Sequence, residues 1–320
     1  MLLNKVKNNL SDQTSLLSND DIDFKEFFIA IWNGKFIVSL VTAVFIVLSI
    51  YIALAIPNKY QSATLLVPNE SSAQNSLSSM ASGLGGAAAG MLGINISGGG
   101  MDKGDYAIAL INSKEFFKNL SEIDEILPNI YVSERYDFGS NKIIYEKDSY
   151  DSEKGVWVRN PPKGKNVIPT YLEVYPIYTK NLKIKKNNNT GFIEMTYAHV
   201  SPFFSQYLLS TIIEEVNTLS RAIDLKRSKD SLTYLEEEVS KTKQKEVSAS
   251  ISKLMESELR IQMLSNIDEH YLIRPIDEPY VPENRFSPNR RVIVIVSTLF
   301  GGLLGCLIAI VIHFYRKKPS

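Results

Sequence analysis

The sequence predicts an α+β protein with two transmembrane helices flanking an extramembrane α/β base, and a long helical, coiled-coil-like extension rising from that base. Three observations carry this. Phe36–Ile56 and Val292–Phe314 are uncharged apolar runs at opposite ends of the 320-residue chain. The region 129–200 is rich in tyrosine and short β-prone stretches broken by Pro and Asn. Residues 203–274 contain neither Gly nor Pro and repeat apolar residues at spacings of three and four.

Each apolar run is long enough to cross about 30 Å of hydrocarbon at roughly 1.5 Å per residue. Leu, Ile, Val and Phe each favour insertion, so either run inserts unaided. The residues between them, 57–291, therefore form one domain on one side of a membrane. Basic residues flank the spans on both sides, with Lys25, Lys35 and Arg316–Lys318 toward the termini and Lys59, Arg274, Arg285, Arg290 and Arg291 toward the loop. The cluster directly after the second span points to cytoplasmic termini. The first run starts too late and runs too long for a removed signal peptide.

Composition excludes several function classes. Lys plus Arg and Asp plus Glu are both 35, and the loop has 28 basic against 30 acidic residues, so no cationic field favours nucleic acid. The single cysteine, Cys306, lies inside the second span, which leaves the loop without disulfides or thiolate metal sites.

Along the loop, Pro57 ends the first helix and Tyr60–Val67 reads as a strand. Residues 70–104 hold nine of the 17 glycines and are expected to be a connector without regular structure. A phosphate-binding loop would need Lys followed by Ser or Thr after its last glycine, and the stretch offers only Asp102–Lys103–Gly104. Tyr106–Leu127 has the spacing of one or two amphipathic helices ended by Pro128. Candidate strands follow at Lys142–Tyr145, Val156–Val158, Tyr171–Tyr178, Leu182–Lys185 and Gly191–Ala198, forming a mixed sheet with helices on one face.

Ser201–Pro202 opens the long helix, since proline fits the first turn. Leu209, Ile212, Val216, Leu219 and Ile223 form a stripe that resumes at Leu232, Leu235 and Val239, then at Ile251, Leu254, Met255, Leu259 and Met263. One unbroken helix over residues 203–270 would reach roughly 100 Å; a break is more economical, and Lys241–Ser252, where the stripe thins, is the place expected for one, with a continuous helix left open. An element this long is expected to bury its narrow apolar face against neighbouring copies. Its charges, including Glu236–Glu238, read as a solvated face.

The chain returns to the membrane through Leu272–Arg291, where Pro275, Pro279, Pro282 and Pro288 predict a stiff, extended connector. In the second span Gly301, Gly305 and Ala309 recur every four residues, a face that lets helices approach closely in the membrane. The first span has a weaker version at Ser39 and Ala43. No catalytic group, metal site or cofactor is expected. The histidines His199, His270 and His313 have no metal-ligand spacing and read as surface or interfacial residues, and no pair of carboxylates is singled out for acid–base chemistry.

Four segments carry a family resemblance: IDFKEFFIAIWNGKF (Ile22–Phe36) and PNKYQSATLLVP (Pro57–Pro68) around the first span, MTYAHVSP (Met195–Pro202) before the long helix, and LIRPIDEPYVPENRFSPNRR (Leu272–Arg291) before the second span. In order and placement the chain resembles the chain length determinant (Wzz-type) family of polysaccharide co-polymerases. It departs from the family's proline ladder at Arg285–Phe286. The resemblance implies a Gram-negative inner-membrane protein with both termini cytoplasmic and the loop periplasmic. It implies homo-oligomeric rings and a partnership with a membrane polysaccharide polymerase, with the glycan itself and the lipid bilayer as further contacts and no nucleic acid.

The implied function is non-enzymatic control of the modal chain length of a surface polysaccharide, lipopolysaccharide O-antigen or a related glycan. The alternative is a membrane adaptor of a capsule or exopolysaccharide export system working with a separate kinase or exporter. The residues after the second span carry no P-loop or tyrosine cluster, which argues against a fused kinase, and no output domain of a sensor. The expected organisation is an N-terminal segment 1–35, spans 36–56 and 292–314, and a tail 315–320. Within 57–291 the base takes 57–69, 105–200 and 271–291, the connector 70–104 and the extension 201–270.

Overall fold

The computed structural model describes residues 30–69 and 102–317. The chain divides into two compact units, one made by its two ends (Met1–Ile56 and Asn289–Ser320) and one by Pro57–Pro288. Most of the lead-in before the first span and nearly all of the glycine-rich stretch lie outside the described residues.

In chain order the elements are α1 (Lys35–Ala55), β1 (Lys59–Pro68), α2 (Lys103–Ile111), α3 (Lys114–Ser121), α4 (Ile126–Val132), β2 (Ser133–Asp137) and β3 (Lys142–Tyr145). There follow β4 (Tyr150–Asp151), β5 (Val156–Trp157), α5 (Tyr171–Asn181), β6 (Leu182–Lys186) and β7 (Ile193–His199). The chain closes with α6 (Pro202–Lys241), α7 (Lys245–Ile267), β8 (Ile273–Asp277), β9 (Arg285–Ser287) and α8 (Arg290–Lys317). Helices and strands are mixed in the central unit, and the two apolar helices flank it in sequence, so the α+β class with flanking spans holds.

The main sheet is antiparallel, in the order β6-β7-β1-β8, and β9 also pairs with β1. It is not the mixed sheet expected. β1 alternates buried and half-buried residues, placing Tyr60, Ser62, Thr64 and Leu66 inward and Gln61 and Ala63 on the opposite face. Leu66 joins Ile193, Met195 and Tyr197 of β7 in a core closed by Phe116, Phe117 and Leu120 of α3, Tyr178 of α5, and Leu208, Leu209, Ile212 and Val216 of α6.

Three sequence expectations fail here for local reasons. Tyr171–Tyr178 is not a strand. Thr170 and Glu173 form a capping box that starts α5, and the spacing of Val174 and Tyr178 then buries both on one face, with Tyr178 stacked on Phe117 at 4.6 Å between ring centroids. Pro128 does not end a helix; it sits in the first turn of α4, where a missing N–H costs nothing. Gly104 belongs to α2 rather than to a connector, because the Asp102 carboxylate accepts the Gly104 N–H at 2.7 Å and caps that helix.

The long helix is broken. Ser201 caps α6 through its hydroxyl and Pro202 occupies the first turn. The helix ends at Lys241, and α7 returns antiparallel after Thr242–Gln244, inside the stretch where the apolar stripe thins. Ser228 Oγ donates to Glu258 O at 2.8 Å, Arg221 Nη2 to Asp268 O at 2.8 Å, and Tyr271 OH to Asp224 Oδ2 at 2.7 Å. Leu232 and Ile251 are buried toward the tip of this hairpin. Part of the stripe expected to bury its face against neighbouring copies is thus covered within the chain. Its lower third packs on the sheet, and part of its upper length packs on α7 of the same chain.

Candidate functional site

Two helices are long and apolar enough to cross a membrane, α1 and α8. They run antiparallel, and the packing shows why small residues stand between them. An ideal Cβ placed on Gly301 would lie 2.7 Å from Phe45 Cβ, and one on Gly305 would lie 3.0 Å from Val38 Cα. Gly34, at the start of α1, faces Ala309, with 2.5 Å between its ideal Cβ and Ala309 Cβ. Ala309 is 2 % exposed. The structure thus places Gly301, Gly305 and Ala309 against α1 of the same chain. Gly302, one residue away, has only Thr42 Oγ1 at 4.0 Å and is open.

On α1 the small-residue face is not Ser39 and Ala43, both of which are exposed. Ser49 and Ala53 are the buried small residues, with Gly34 one end of the same face. Ser49 Oγ donates to Ile46 O at 2.8 Å, so its polar group is satisfied within the helix. The spacing rule alone could not choose between faces of a helix that is apolar all round.

The proline-rich segment is part of the sheet. Pro275 lies in β8 opposite Leu66, Pro279 and Pro282 are buried between β8 and β9, and Pro288 follows β9 through a cis Ser287–Pro288 peptide. Ser62 Oγ donates to Tyr280 O at 2.7 Å and Thr64 Oγ1 to Asp277 O at 2.6 Å, so β1 holds the segment along its length. The extended segment expected here takes the form of two short strands paired with β1. Prolines suit this edge because they donate nothing to a ladder.

Asn217 fixes α6 to β8. Its Oδ1 accepts Leu272 N at 2.7 Å and Ile273 N at 3.0 Å, and its Nδ2 donates to Ile273 O at 2.9 Å and Ile213 O at 2.8 Å. Residue 273 faces Pro68, which has no N–H to give, and the carboxamide supplies the donor instead. Sequence reading missed this residue; the only signal was a polar Asn in the buried register of an otherwise apolar stripe.

His199 is 6 % exposed, not at a surface. Its Nε2 lies 2.8 Å from Asn129 O and its Nδ1 accepts Ser201 N at 3.1 Å, so the ring is neutral with Nε2 donating. Burial lowers its pKa to about 4. Arg159 ties the loop before α5 to that helix. It donates to Asn166 O at 2.6 Å, Val167 O at 2.7 Å and Glu173 Oε2 at 3.2 Å, and its hydrogen bonds hold the Glu173 pKa at about 2. Among the described residues no cluster of His, Cys, Asp or Glu is arranged to hold a metal ion; His199 ends β7, His270 lies in the bend between α7 and β8, and His313 is in α8.

The upper part of the α6–α7 hairpin, the stem, leaves an apolar set exposed. Ile223 and Tyr234 on α6, and Leu254, Leu259, Met263 and Ile267 on α7, remain exposed beside the buried hairpin seam. Val247 on α7 is exposed as well, and these residues make up the large apolar side chains exposed on the upper part of the hairpin among the described residues.

No curated protein matches the chain. Among solved structures, one described as a full-length bacterial polysaccharide co-polymerase overlaps 94 % of this chain and 100 % of its own, at 14 % identity and a TM-score of 0.39. A fragment of WzzB, a polysaccharide co-polymerase from Salmonella Typhimurium, overlaps 72 % of this chain and 99 % of its own, at 12 % identity and a TM-score of 0.33. The family model described as chain length determinant protein, Wzz, matches residues 20–122, the segment that holds α1, β1, α2 and α3. The segments Ile22–Phe36 and Pro57–Pro68, which carry the resemblance, both fall inside the stretch matched by the chain length determinant family model, residues 20–122.

Proposed function

We propose that the chain sets the modal length of a surface polysaccharide, the O-antigen of lipopolysaccharide or a related glycan, as a non-enzymatic oligomeric scaffold in the bacterial inner membrane. The match to the chain length determinant family is the observation that carries this reading. The architecture supports it. Paired helices α1 and α8 would anchor both feet of the chain in lipid, with the termini in the cytoplasm and the central unit in the periplasm. α6 is 40 residues long, about 60 Å at 1.5 Å per residue; its first half packs in the base, and the remainder forms the stem with α7.

The exposed apolar set on α6 and α7 gives the reason for assembly. One chain covers only part of the seam, and neighbouring stems in a ring would cover the remainder. A ring of such stems would hold the polymerase or the growing glycan and bias the point at which extension stops. The chain itself needs no catalytic group for that role.

Deletion of the gene, followed by electrophoresis of the surface polysaccharide, tests the function. The expected result is loss of the modal band cluster and a random length distribution; an unchanged pattern overturns the proposal. Replacing Leu259 and Met263 by Glu tests the assembly. Smaller particles in detergent with unchanged helix content are expected, and oligomers of wild-type size would refute the role given to the seam.

A further inference from the structure

We propose that the sheet face turned away from the core, together with the segment between β8 and β9, forms a binding groove for a saccharide of neutral or amino-bearing type. The inference deepens the reading above, in which the chain acts on a growing glycan, by naming where sugar would be held.

The groove encloses about 710 Å³ between β1, β7 and residues 280–286. That volume is of the size that receives small organic ligands. Its floor is Gln61 and Ala63 of β1 with Glu194 and Thr196 of β7, which are outward positions of the alternation. Its wall carries Tyr280, Glu283, Asn284 and Phe286. Tyr280 is 55 % and Phe286 53 % exposed, and among the described residues neither ring stacks on another. Glu194 and Glu283 form no ion pair among the described residues.

The wall is built rather than loose. Ser62 and Thr64, buried at 0 % and 3 % exposure, hold the carbonyls of Tyr280 and Asp277. Pro279 and Pro282 are buried and fix φ on either side of Tyr280. The groups that would meet a ligand are therefore positioned before it arrives, which lowers the entropy cost of binding.

The lining decides the ligand class. No Lys or Arg lines the groove, and two carboxylates do, so phosphate, nucleic acid and acidic peptide are repelled. Lys183 and Lys185 lie on the same face of the sheet, opposite Thr196 and Glu194 across the β6–β7 ladder, but they form its far margin and not the groove. A purely apolar ligand would strip water from Gln61, Glu194, Glu283 and Asn284 without replacing the hydrogen bonds. A sugar meets both demands: its C–H face packs on the exposed rings, and its hydroxyl or amine groups donate to carboxylate and carboxamide oxygens.

The test uses the full-length chain in detergent micelles and saturation-transfer NMR with two probes, neutral triacetylchitotriose and anionic trigalacturonic acid. Saturable transfer to the neutral probe is expected. Tyr280→Ala and Glu194→Ala should each weaken it by roughly fivefold or more, with melting temperature and helix content unchanged, while Tyr280→Phe stays within about twofold of wild type. Absence of transfer, equal binding in Tyr280→Ala, or preference for the anionic probe would overturn the proposal. So would a second copy in the groove, seen as Tyr280→Cys in a Cys306→Ser background resisting a water-soluble maleimide until the oligomer is dissociated. The deletion strain separates the two readings. Altered glycan length without saccharide binding sinks the groove alone, and binding in the groove with unaltered glycan length sinks the chain-length function alone.

Discussion

Replacing Asn217 by alanine should uncouple the stem from the strand that leads back to the second apolar helix. The side chain is 2 % exposed and serves the Leu272 and Ile273 N–H groups and the Ile273 carbonyl. Its fourth bond, to Ile213 O, is to a helix carbonyl and leaves little unsatisfied when removed. Alanine therefore leaves three buried backbone groups without their partner, at about 1–3 kcal/mol each, and partial relaxation brings the total to about 3–5 kcal/mol. For a unit the size of Pro57–Pro288 that lowers Tm by roughly 10 °C. Thermal unfolding followed by the fluorescence of Trp157, in a Trp32→Phe background, reports on this unit, because Trp157 sits against Tyr131 and Tyr150 at 6.0 and 5.2 Å between centroids. Asn266→Ala is the matched control: that Asn donates only to Gln262 O on an exposed turn of α7, and its loss should cost less than about 0.5 kcal/mol. If Asn217→Ala melts within about 1 kcal/mol of wild type, the junction is not held as described.

Further outcomes follow from the same geometry. Gly305→Leu should disrupt the pairing of α1 and α8 while Gly302→Leu is tolerated, since only the former meets backbone at 3.0 Å; protease resistance of the two helices in detergent reads the difference, and equal resistance refutes the packing. His199 has a folded pKa of about 4 against 6.5 unfolded, so the neutral ring stabilises the fold fully above pH 6.5 and that stability drains as pH falls toward 4. Urea midpoints across this window should fall more steeply for wild type than for His199→Phe, and parallel slopes would contradict the burial argument. Glu173, held at about 2 against 4.5, acts in a lower window: its ion-paired carboxylate contributes above pH 4.5 and is lost as pH falls through about 2. Glu173→Gln should flatten the stability curve there and leave the His199 window unmoved.

Much of the secondary structure was legible because its causes are local. Ser201–Pro202 marked the start of α6, the thinning stripe marked the break before α7, and alternation marked β1, β6 and β7. Tyr171–Tyr178 was misread because aromatic content was weighed above the capping box at Thr170–Glu173, which decides the matter at shorter range. His199 looked like surface because a strand end is usually exposed; it is buried because Asn129 is brought to one ring nitrogen from a distant segment, while Ser201, two residues on, serves the other. Asn217 and the groove by Tyr280 were beyond reach for the same reason. Their partners lie 55 or more residues away in the chain, and no pattern within one segment encodes them.

By itself the sequence determined the two uncharged apolar runs, the α+β class, the stretch where the apolar stripe of the long helix thins, and the family resemblance around the first run. These rest on composition and on periodicities of two and 3.6, which the backbone reads residue by residue. Only the tertiary structure decided that the long helix folds back on itself, that the proline segment is stitched to β1, and which face of α1 meets Gly301, Gly305 and Ala309. Each of those choices turns on which apolar surface finds the better complement and which buried polar groups find a partner, and that is settled by packing between segments distant in sequence.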